Sequence, residues 1–559
     1  MVVVSWKSVV LVVALSVLVS ESDSLPLSTN SRWIMDCASG RRVKLHCVNW
    51  AAHMQPMMAE GLDRKPVEEI TARISSLGFN CVRLTWATFM FTNPSYANLT
   101  VLQSLNSLNL GLAAAGIATN NPSLVDSTLL EAYDAVVEAL GRAGLMVVLD
   151  NHVSRPQWCC GNDDGNAFFG DTYFDPQEWL TGIATVAQRF KGKAQVVGMS
   201  LRNELRGPLQ NEFGWYRQVQ RGARSIHKAN PDLLVIVSGL NYDTDLSFLG
   251  TGRRPLHAEL GNKLVYEAHW YAFSQGRKQE WEKQSPDEVC ADSIGGFESR
   301  AGFVTRAPAP APAPAPGDHA TPLFISEFGV DQRGVNRADN RFLSCFLAFA
   351  AGRDMDWAMW ALQGSYYMRN NRSGFDETYG VLDSDWNHPR NPNFQERFAL
   401  IHQMMQGGDP VSNGSSYHII YHPQSGHCIE ASEEDGKMVV RATSCRRNRS
   451  KWIFKGTASP IVLLDTGQCL MVAGDGLPPV LSTNCSDEQS KWTMVSSSKL
   501  RIAAVDAQGR SLCLQNLGSP SNSSSTITTS PCLCLNQTDT DCDENPETQW
   551  FSFIYSNIA

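Results

Sequence analysis

Between residues 40 and 400 the sequence returns eight times to a short run rich in β-branched and other apolar residues. The runs are 43–48, 81–84, 145–149, 196–201, 233–237, 263–267, 323–326 and 356–360. Between several of them, at 67–77, 124–142, 176–190, 212–228 and 337–351, apolar residues recur with helical spacing, and a final helix is expected over 393–405. Apolar strands that alternate with amphipathic helices call for a parallel sheet covered by helices. Eight such units is the number that closes an α/β fold into a (β/α)8 TIM barrel. A doubly wound open sheet is the structural alternative, but no strand here runs into the G-x-G-x-x-G turn of its dinucleotide-binding form.

After Met405 the texture changes. Gln406-Gly407-Gly408-Asp409-Pro410 is a turn-rich break, and short strands separated by Gly, Ser, Asn and Asp follow it. The expected organisation is a barrel domain over 23–408 and an all-β domain over 412–559. The second domain holds three similar units of roughly 40 residues, the self-similarity expected of a repeat architecture. Cys428, Cys469 and Cys513 open the units; Cys445, Cys485 and Cys532 follow; Trp452, Trp492 and Trp550 end them. An insertion in the third adds Cys534 and Cys542. These intervals call for four disulfides, in the simplest pairing Cys428–Cys445, Cys469–Cys485, Cys513–Cys532 and Cys534–Cys542. No Cys/His set has a recognised zinc spacing.

Compartment follows from the first residues. Lys7, the apolar stretch 9–19, and Ser20-Glu21-Ser22 with small residues at the two positions a signal peptidase reads, together read as a signal peptide over 1–22, too short in its apolar part for a membrane span. Secretion is expected, with no membrane span after cleavage. Seven N-x-S/T triplets, at Asn98, Asn371, Asn413, Asn448, Asn484, Asn522 and Asn536, agree with a secreted glycoprotein. The chain has 15 Cys, an odd number, so at least one thiol stays outside the internal pairs. Adjacent Cys159 and Cys160 are expected to bond to different distant partners. A net charge of −9 with no basic block argues against a nucleic-acid partner. Residues 307–316 are five Ala-Pro dipeptides, which cannot form an α-helix and should make an exposed polyproline II spacer of roughly 31 Å.

In a TIM barrel the chemistry sits where strands end. Here the second strand carries Arg83, the third runs into Asp150-Asn151-His152, and the fourth into Asn203-Glu204. The sixth runs into His269-Trp270-Tyr271, the seventh into Glu327 and the eighth into Trp360. A buried run that delivers a carboxylate is costly unless that carboxylate is used or paired. Two Glu facing one mouth are the minimum equipment of glycoside hydrolysis, one protonating the leaving oxygen and one attacking or activating water. No cofactor or metal is called for, and Asn162-Asp163-Asp164-Gly165-Asn166 lacks the spacing of a calcium loop.

Strand by strand these residues resemble glycoside hydrolase family 5, the cellulase family, over about 31–405. Trp33-Ile34, Val48-Asn49-Trp50, Cys81-Val82-Arg83-Leu84-Thr85-Trp86 and Ser326-Glu327-Phe328-Gly329 are most similar to its secreted plant branch. The resemblance implies Glu204 as general acid/base and Glu327 as nucleophile in a retaining double displacement. It implies that Arg83 and Tyr271 hold Glu327 charged and oriented, and that Asn203 binds the sugar 2-hydroxyl. His152 and His269 would bind hydroxyls or tune the carboxylates, with Trp360 a stacking floor for the sugar ring. The implied substrate is a β-linked polysaccharide or oligosaccharide, foremost β-1,4-glucan, with mannan and small glycosides as alternatives. A non-catalytic wall-binding protein is the reading from another class.

The threefold unit over about 416–558 resembles the ricin-type β-trefoil, a sugar-binding module. Ser450, Ser490 and Thr548 replace the Gln of that family's Gln-x-Trp motif. Glu430, Met471 and Gln515 replace its sugar-binding Asp, which leaves Glu430 as the candidate for glycan binding by this domain.

Overall fold

The computed structural model describes residues 26–250, 256, 258–306, 320–407, 416–446, 450–518, 521, 524–535, 542 and 544–558. The expected signal peptide and the Ala-Pro run lie outside the described residues, as do Asn413, Asn448, Asn522 and Asn536. Asn98, Asn371 and Asn484 are exposed.

Eight parallel strands close into a barrel: β1 (His46–Trp50), β2 (Cys81–Ala87), β3 (Met146–Val153), β4 (Val196–Ser200), β5 (Leu234–Val237), β6 (Leu264–His269), β7 (Leu323–Phe328) and β8 (Asp356–Met359), with β8 pairing back to β1. Each overlaps one of the eight apolar runs, the first starting three residues later and the third running four residues further than expected, because strands buried on both faces must be apolar almost throughout. Cys47, Val148, Val197, Ile236, Val265, Phe324 and Ala358 fill the barrel interior. A hairpin of Leu27–Asn30 and Trp33–Asp36 adds Leu27 and Ile34 to that cluster.

The outer layer includes α1 (Val67–Ser76), α2 (Leu129–Arg142), α3 (Pro176–Arg189), α4 (Glu212–Ala229), α5 (Pro286–Arg300) and α6 (Arg337–Arg353). The run expected as one helix from 124 breaks at Ser127, and α2 starts afresh on a Thr128/Glu131 capping box. Four short helices between Thr88 and Asn120, and Lys278–Lys283 before α5, had no periodicity long enough to announce them. The helix expected over 393–405 stops early, as Pro392–Arg397. Beyond it the backbone is captured by a buried ion cluster: Lys44 binds the Gln403 carbonyl, and Asp354 Oδ2 accepts the N–H groups of Met405 and Gln406. No helix among the described residues is long and apolar enough to cross a membrane.

Among its described residues the second domain has twelve strands between Tyr417 and Ser556, paired antiparallel. Trp452–Phe454 pairs with both Tyr417–His422 and Ser459–Leu463, which closes the sheet on itself. The four expected disulfides form here. In the barrel, Cys47 pairs with Cys81 and Cys290 with Cys345, and Cys37 is an exposed free thiol. The expectation for Cys159 and Cys160 was wrong: they pair with each other, every other barrel cysteine except Cys37 being already committed.

The two domains share packing. Tyr417, Ile419, Tyr421, Cys428, Leu500, Trp550 and Ile554 belong to the same buried apolar cluster as the barrel's helix–strand layer. Gly426, at φ +80°, lies so close to the barrel chain that a Cβ there would meet Arg397 Cα at 2.5 Å. The Tyr421 hydroxyl donates to the Arg397 carbonyl at 2.8 Å.

Candidate active site

Period-2 alternation on β2 sends Cys81, Arg83 and Thr85 to the interior, and on β3 it sends Val148, Asp150 and His152 there. The seventh strand departs from this alternation. From Phe324 to Glu327 it advances three residues while β6 advances two, from Glu267 to His269. Against β8 it again advances three, from Ile325 to Phe328, against two. The extra residue is a bulge, which re-aims the Glu327 side chain into the mouth. Glu204 follows β4 with φ +44°, a left-handed backbone that a non-glycine residue adopts only where its surroundings enforce it.

Together these elements line a cleft of about 740 Å³ that contains His152, Asn203, Glu204, His269, Tyr271, Glu327 and Trp360. Arg83 lies beneath it, fully buried. Its Nη1 donates to Glu327 Oε1 at 2.8 Å and its Nη2 to Asn203 Oδ1 at 3.1 Å, and it also pairs with Asp150 at 3.1 Å and Glu267 at 3.7 Å. The Tyr271 hydroxyl donates to Glu327 Oε2 at 2.9 Å. His269 Nδ1 lies 2.8 Å from Glu204 Oε1. His152 Nδ1 meets Asp150 Oδ2 at 2.6 Å, and its ring stacks on Trp360 at 5.5 Å between centroids.

Carboxylate oxygens of Glu204 and Glu327 and a ring nitrogen of His269 lie within 4.8 Å of one another, close enough for one cation to bridge all three. Burial pushes Glu204 up to about 7, against the pull of Arg206 and Arg83. Burial raises Glu327 as well, with His269 and Arg83 opposing it. Only Glu327 receives both a guanidinium and a hydroxyl, so a proton shared by the pair belongs to Glu204. Burial holds His152 and His269 below the usual imidazole range, which makes both neutral rings.

Several cleft residues carried no sequence signal. Asn241, Tyr242 and Thr244 come from the loop after β5, and Phe273 from the segment after β6. Arg369 and Glu377 come from the hairpin of Ser365–Arg369 and Arg372–Asp376 and the turn after it; they pair at 2.8 Å, and the guanidinium covers Trp158 at 3.4 Å from its ring centre. Trp50, Trp86 and Trp270 are core residues, whereas Trp158 lines the cleft beside the Cys159–Cys160 disulfide. Asn203 Nδ2 approaches both of those sulfurs at 3.6 Å. Asp164, in the acidic loop, accepts the N–H groups of Gly161 and Asn166 and pairs with Arg206, so its oxygens are occupied by the loop itself.

A TIM barrel whose C-terminal mouth holds two facing carboxyls this close together, in an open cleft, is a glycoside hydrolase. The comparisons with known proteins place it more narrowly. The chain belongs to the cellulase family, glycosyl hydrolase family 5, whose model matches residues 38–365. It is 46% identical over 548 residues to a glycosyl hydrolase 5 family protein of Chamaecyparis obtusa, covering 96% of this chain and 94% of that one. Among solved structures it is similar to the catalytic domain of the major endoglucanase from Xanthomonas campestris pv. campestris, with a TM-score of 0.51 and 22% identity over 67% of this chain and 98% of that one. An endocellulase from Pyrococcus horikoshii, solved in complex with cellotetraose, gives a TM-score of 0.50 and 19% identity over 66% and 96%.

Proposed function

We propose that this chain is a secreted, retaining endoglucanase-like hydrolase of β-1,4-linked glucan, with Glu327 as nucleophile and Glu204 as acid/base. The approach of the two carboxyls carries the reading. Oxygens within 4.8 Å suit a retaining pair, whose carboxyl groups sit about 5–5.5 Å apart, and not an inverting pair at about 6.5–9.5 Å. Glu327, held by Arg83 and Tyr271, is the ionised member that attacks the anomeric carbon. Glu204 starts protonated, gives its proton to the leaving oxygen, and then takes one from the incoming water. Asn203 and His152 bind hydroxyls of the sugar beside the cleaved bond, and Trp360 packs on its C–H face. The endoglucanase and endocellulase names among the structural relatives support the glucan assignment. Seven disulfides support secretion.

Product release from soluble β-glucan, glucomannan and aryl β-glycosides, followed by NMR of the first product, tests the reading. The β-anomer should appear first and mutarotate later; an α-anomer first would overturn retention. Because the acid must be protonated, kcat/KM should fall as pH rises through about 7, the value to which burial pushes Glu204. Because the nucleophile must be ionised, it should also fall as pH drops through the raised pKa of Glu327. Tyr271→Phe removes one donor to Glu327 Oε2 and should lower kcat by roughly 10²-fold, the scale for one such donor.

For the second domain the reading is a ricin-type trefoil with one remaining candidate sugar contact. Glu430 is half-buried and accepts the Thr443 hydroxyl at 2.9 Å. Glu430→Ala should weaken retention on insoluble glucan without changing turnover of soluble substrate. Unchanged retention assigns the domain a structural role alone.

A further inference from the structure

Beside the acid/base candidate lies a buried carboxyl that the double displacement leaves without a task. Asp243 ends Asn241-Tyr242-Asp243, three successive non-glycine residues with φ of 53°, 61° and 58°. Left-handed backbone is disfavoured for L-residues, so such a run persists only where its surroundings over-determine it. They do so here. The Tyr242 N–H donates to the Leu205 carbonyl at 3.1 Å, its hydroxyl donates to Asn162 Oδ1 at 2.7 Å, and Leu240 bridges to Asp245. The turn leaves Asn241, Tyr242 and Thr244 on the cleft wall and Asp243 fully buried behind it.

Asp243 meets His269 twice. Its carbonyl accepts the His269 backbone N–H at 2.9 Å. Its Oδ1 accepts the Gly239 N–H, while Oδ2 has no hydrogen-bond partner and faces His269 Nε2 at 3.6 Å, an atom that has none either. The other ring nitrogen, Nδ1, is the one 2.8 Å from Glu204 Oε1. Two unpartnered buried polar atoms a few tenths of an ångström beyond bonding distance are a hydrogen bond waiting for a small adjustment.

We propose that Asp243, as a protonated carboxyl, donates from Oδ2 to His269 Nε2 and so fixes the imidazole tautomer that presents Nδ1–H to Glu204. The proposal rests on the reading of Glu204 as acid/base. Of the groups facing Asp243, Glu267 from β6 and Glu204 from the end of β4 favour its neutral form; the Gly239 N–H and Arg83 from β2 oppose them, but the Arg83 guanidinium is already paired with Asp150, Glu267 and Glu327. Burial and Glu267 push the Asp243 carboxyl well above its usual range. With Nδ1–H held on Oε1, the acid proton of Glu204 sits on Oε2, the oxygen left to face the leaving group. Once that proton is delivered, the same Nδ1–H stabilises the new carboxylate. Asp243 and His269 exchange no proton in the cycle; Asp243 is a positioning residue.

The test uses the full-length protein and aryl β-cellobiosides whose leaving groups range from dinitrophenol, which needs no protonation, to phenol, which does. Asp243→Ala should lower kcat/KM on the phenyl substrate by about 30-fold or more and on the dinitrophenyl substrate by less than about threefold, as loss of acid assistance requires. Asp243→Asn, whose amide N–H can replace the Oδ2–H, should recover most of that loss. An Asp243→Ala variant with an even loss across the series, or none, overturns the proposal, and so does Asp243→Asn falling as far as Asp243→Ala. The ¹⁵N-histidine spectrum of the unaltered protein decides even if Asp243→Ala does not fold: a proton on His269 Nδ1 supports the assignment, and a proton on Nε2 alone overturns it. Glu204→Ala on the same series separates the two levels. A steep leaving-group dependence with rescue by azide upholds Glu204 as acid/base whatever Asp243 does, and a flat loss brings down that reading first.

Discussion

Glu327→Gln should remove turnover of soluble glucan by roughly four to six orders of magnitude, the scale on which loss of an enzyme nucleophile is felt. The fold should survive it. The amide oxygen can take the Arg83 Nη1 bond now made by Oε1, and its NH2 group can donate to the Tyr271 hydroxyl in place of Oε2. Arg83 loses one negative partner and keeps Asp150 at 3.1 Å and Glu267 at 3.7 Å. No cavity opens, because Gln and Glu have nearly the same volume. The urea midpoint should therefore stay near that of the unaltered chain while activity disappears, and residual full activity would move the nucleophile elsewhere. Glu204→Gln should differ in kind. Its loss in kcat/KM should shrink on substrates whose leaving group departs without a proton, because kcat/KM reports formation of the glycosyl-enzyme, the step in which Glu204 is the acid.

The barrel was legible because its strands are buried on both sides. Each reads as a dense apolar run, and the polar residue that ends it stands out: His152, Glu204, His269, Glu327. The parts that were not legible are those set by long-range geometry. Nothing in Ser326-Glu327-Phe328 announces an extra residue relative to both neighbouring strands, yet that bulge turns Glu327 into the mouth. Asn241-Tyr242-Asp243 carries a weak cue, since Asn and Asp tolerate left-handed backbone better than most residues. Three such residues in a row around a Tyr follow only from the contacts that hold them. Arg369 and Glu377 come from a hairpin after β8, outside the strand-end rule that found the others. The adjacent cysteines show the same limit, because pairing depends on which other sulfurs the fold leaves within reach.

Asp287→Ala should destabilise the whole chain, both domains together, by about 3–5 kcal/mol, the cost of stranding one member of a buried ion pair. Asp287 lies in the first turn of α5, where the helix N-terminus favours a negative charge. There it meets Arg501 of the second domain at 2.6 Å, with both side chains at 1% exposure or less. It also accepts the Ser498 hydroxyl and the Trp550 indole N–H. That last bond marks where the threefold pattern bends to the barrel. In the first two units the unit's Trp donates to the carbonyl just after its first Cys, Trp452 to Ile429 and Trp492 to Leu470. In the third, Trp550 donates across the interface to Asp287. Arg501, its Nη2 already without a hydrogen-bond partner among the described residues, would keep the Gln549 hydrogen bond at 3.2 Å after the substitution and lose its direct ion-pair partner. Asp287→Leu combined with Arg501→Met should cost less than Asp287→Ala alone, since replacing a buried pair by apolar groups avoids the stranded charge. Both variants can be read from a single urea transition followed by tryptophan fluorescence and by activity. If the two probes separate, the domains unfold independently and the joint is weaker than its geometry implies. A coincident transition has a practical consequence: removing residues 416–559 would uncover the barrel face now covered by Ile419, Tyr421, Trp550 and Ile554. Glycan binding by the second domain must then be tested with substitutions such as Glu430→Ala in the intact chain.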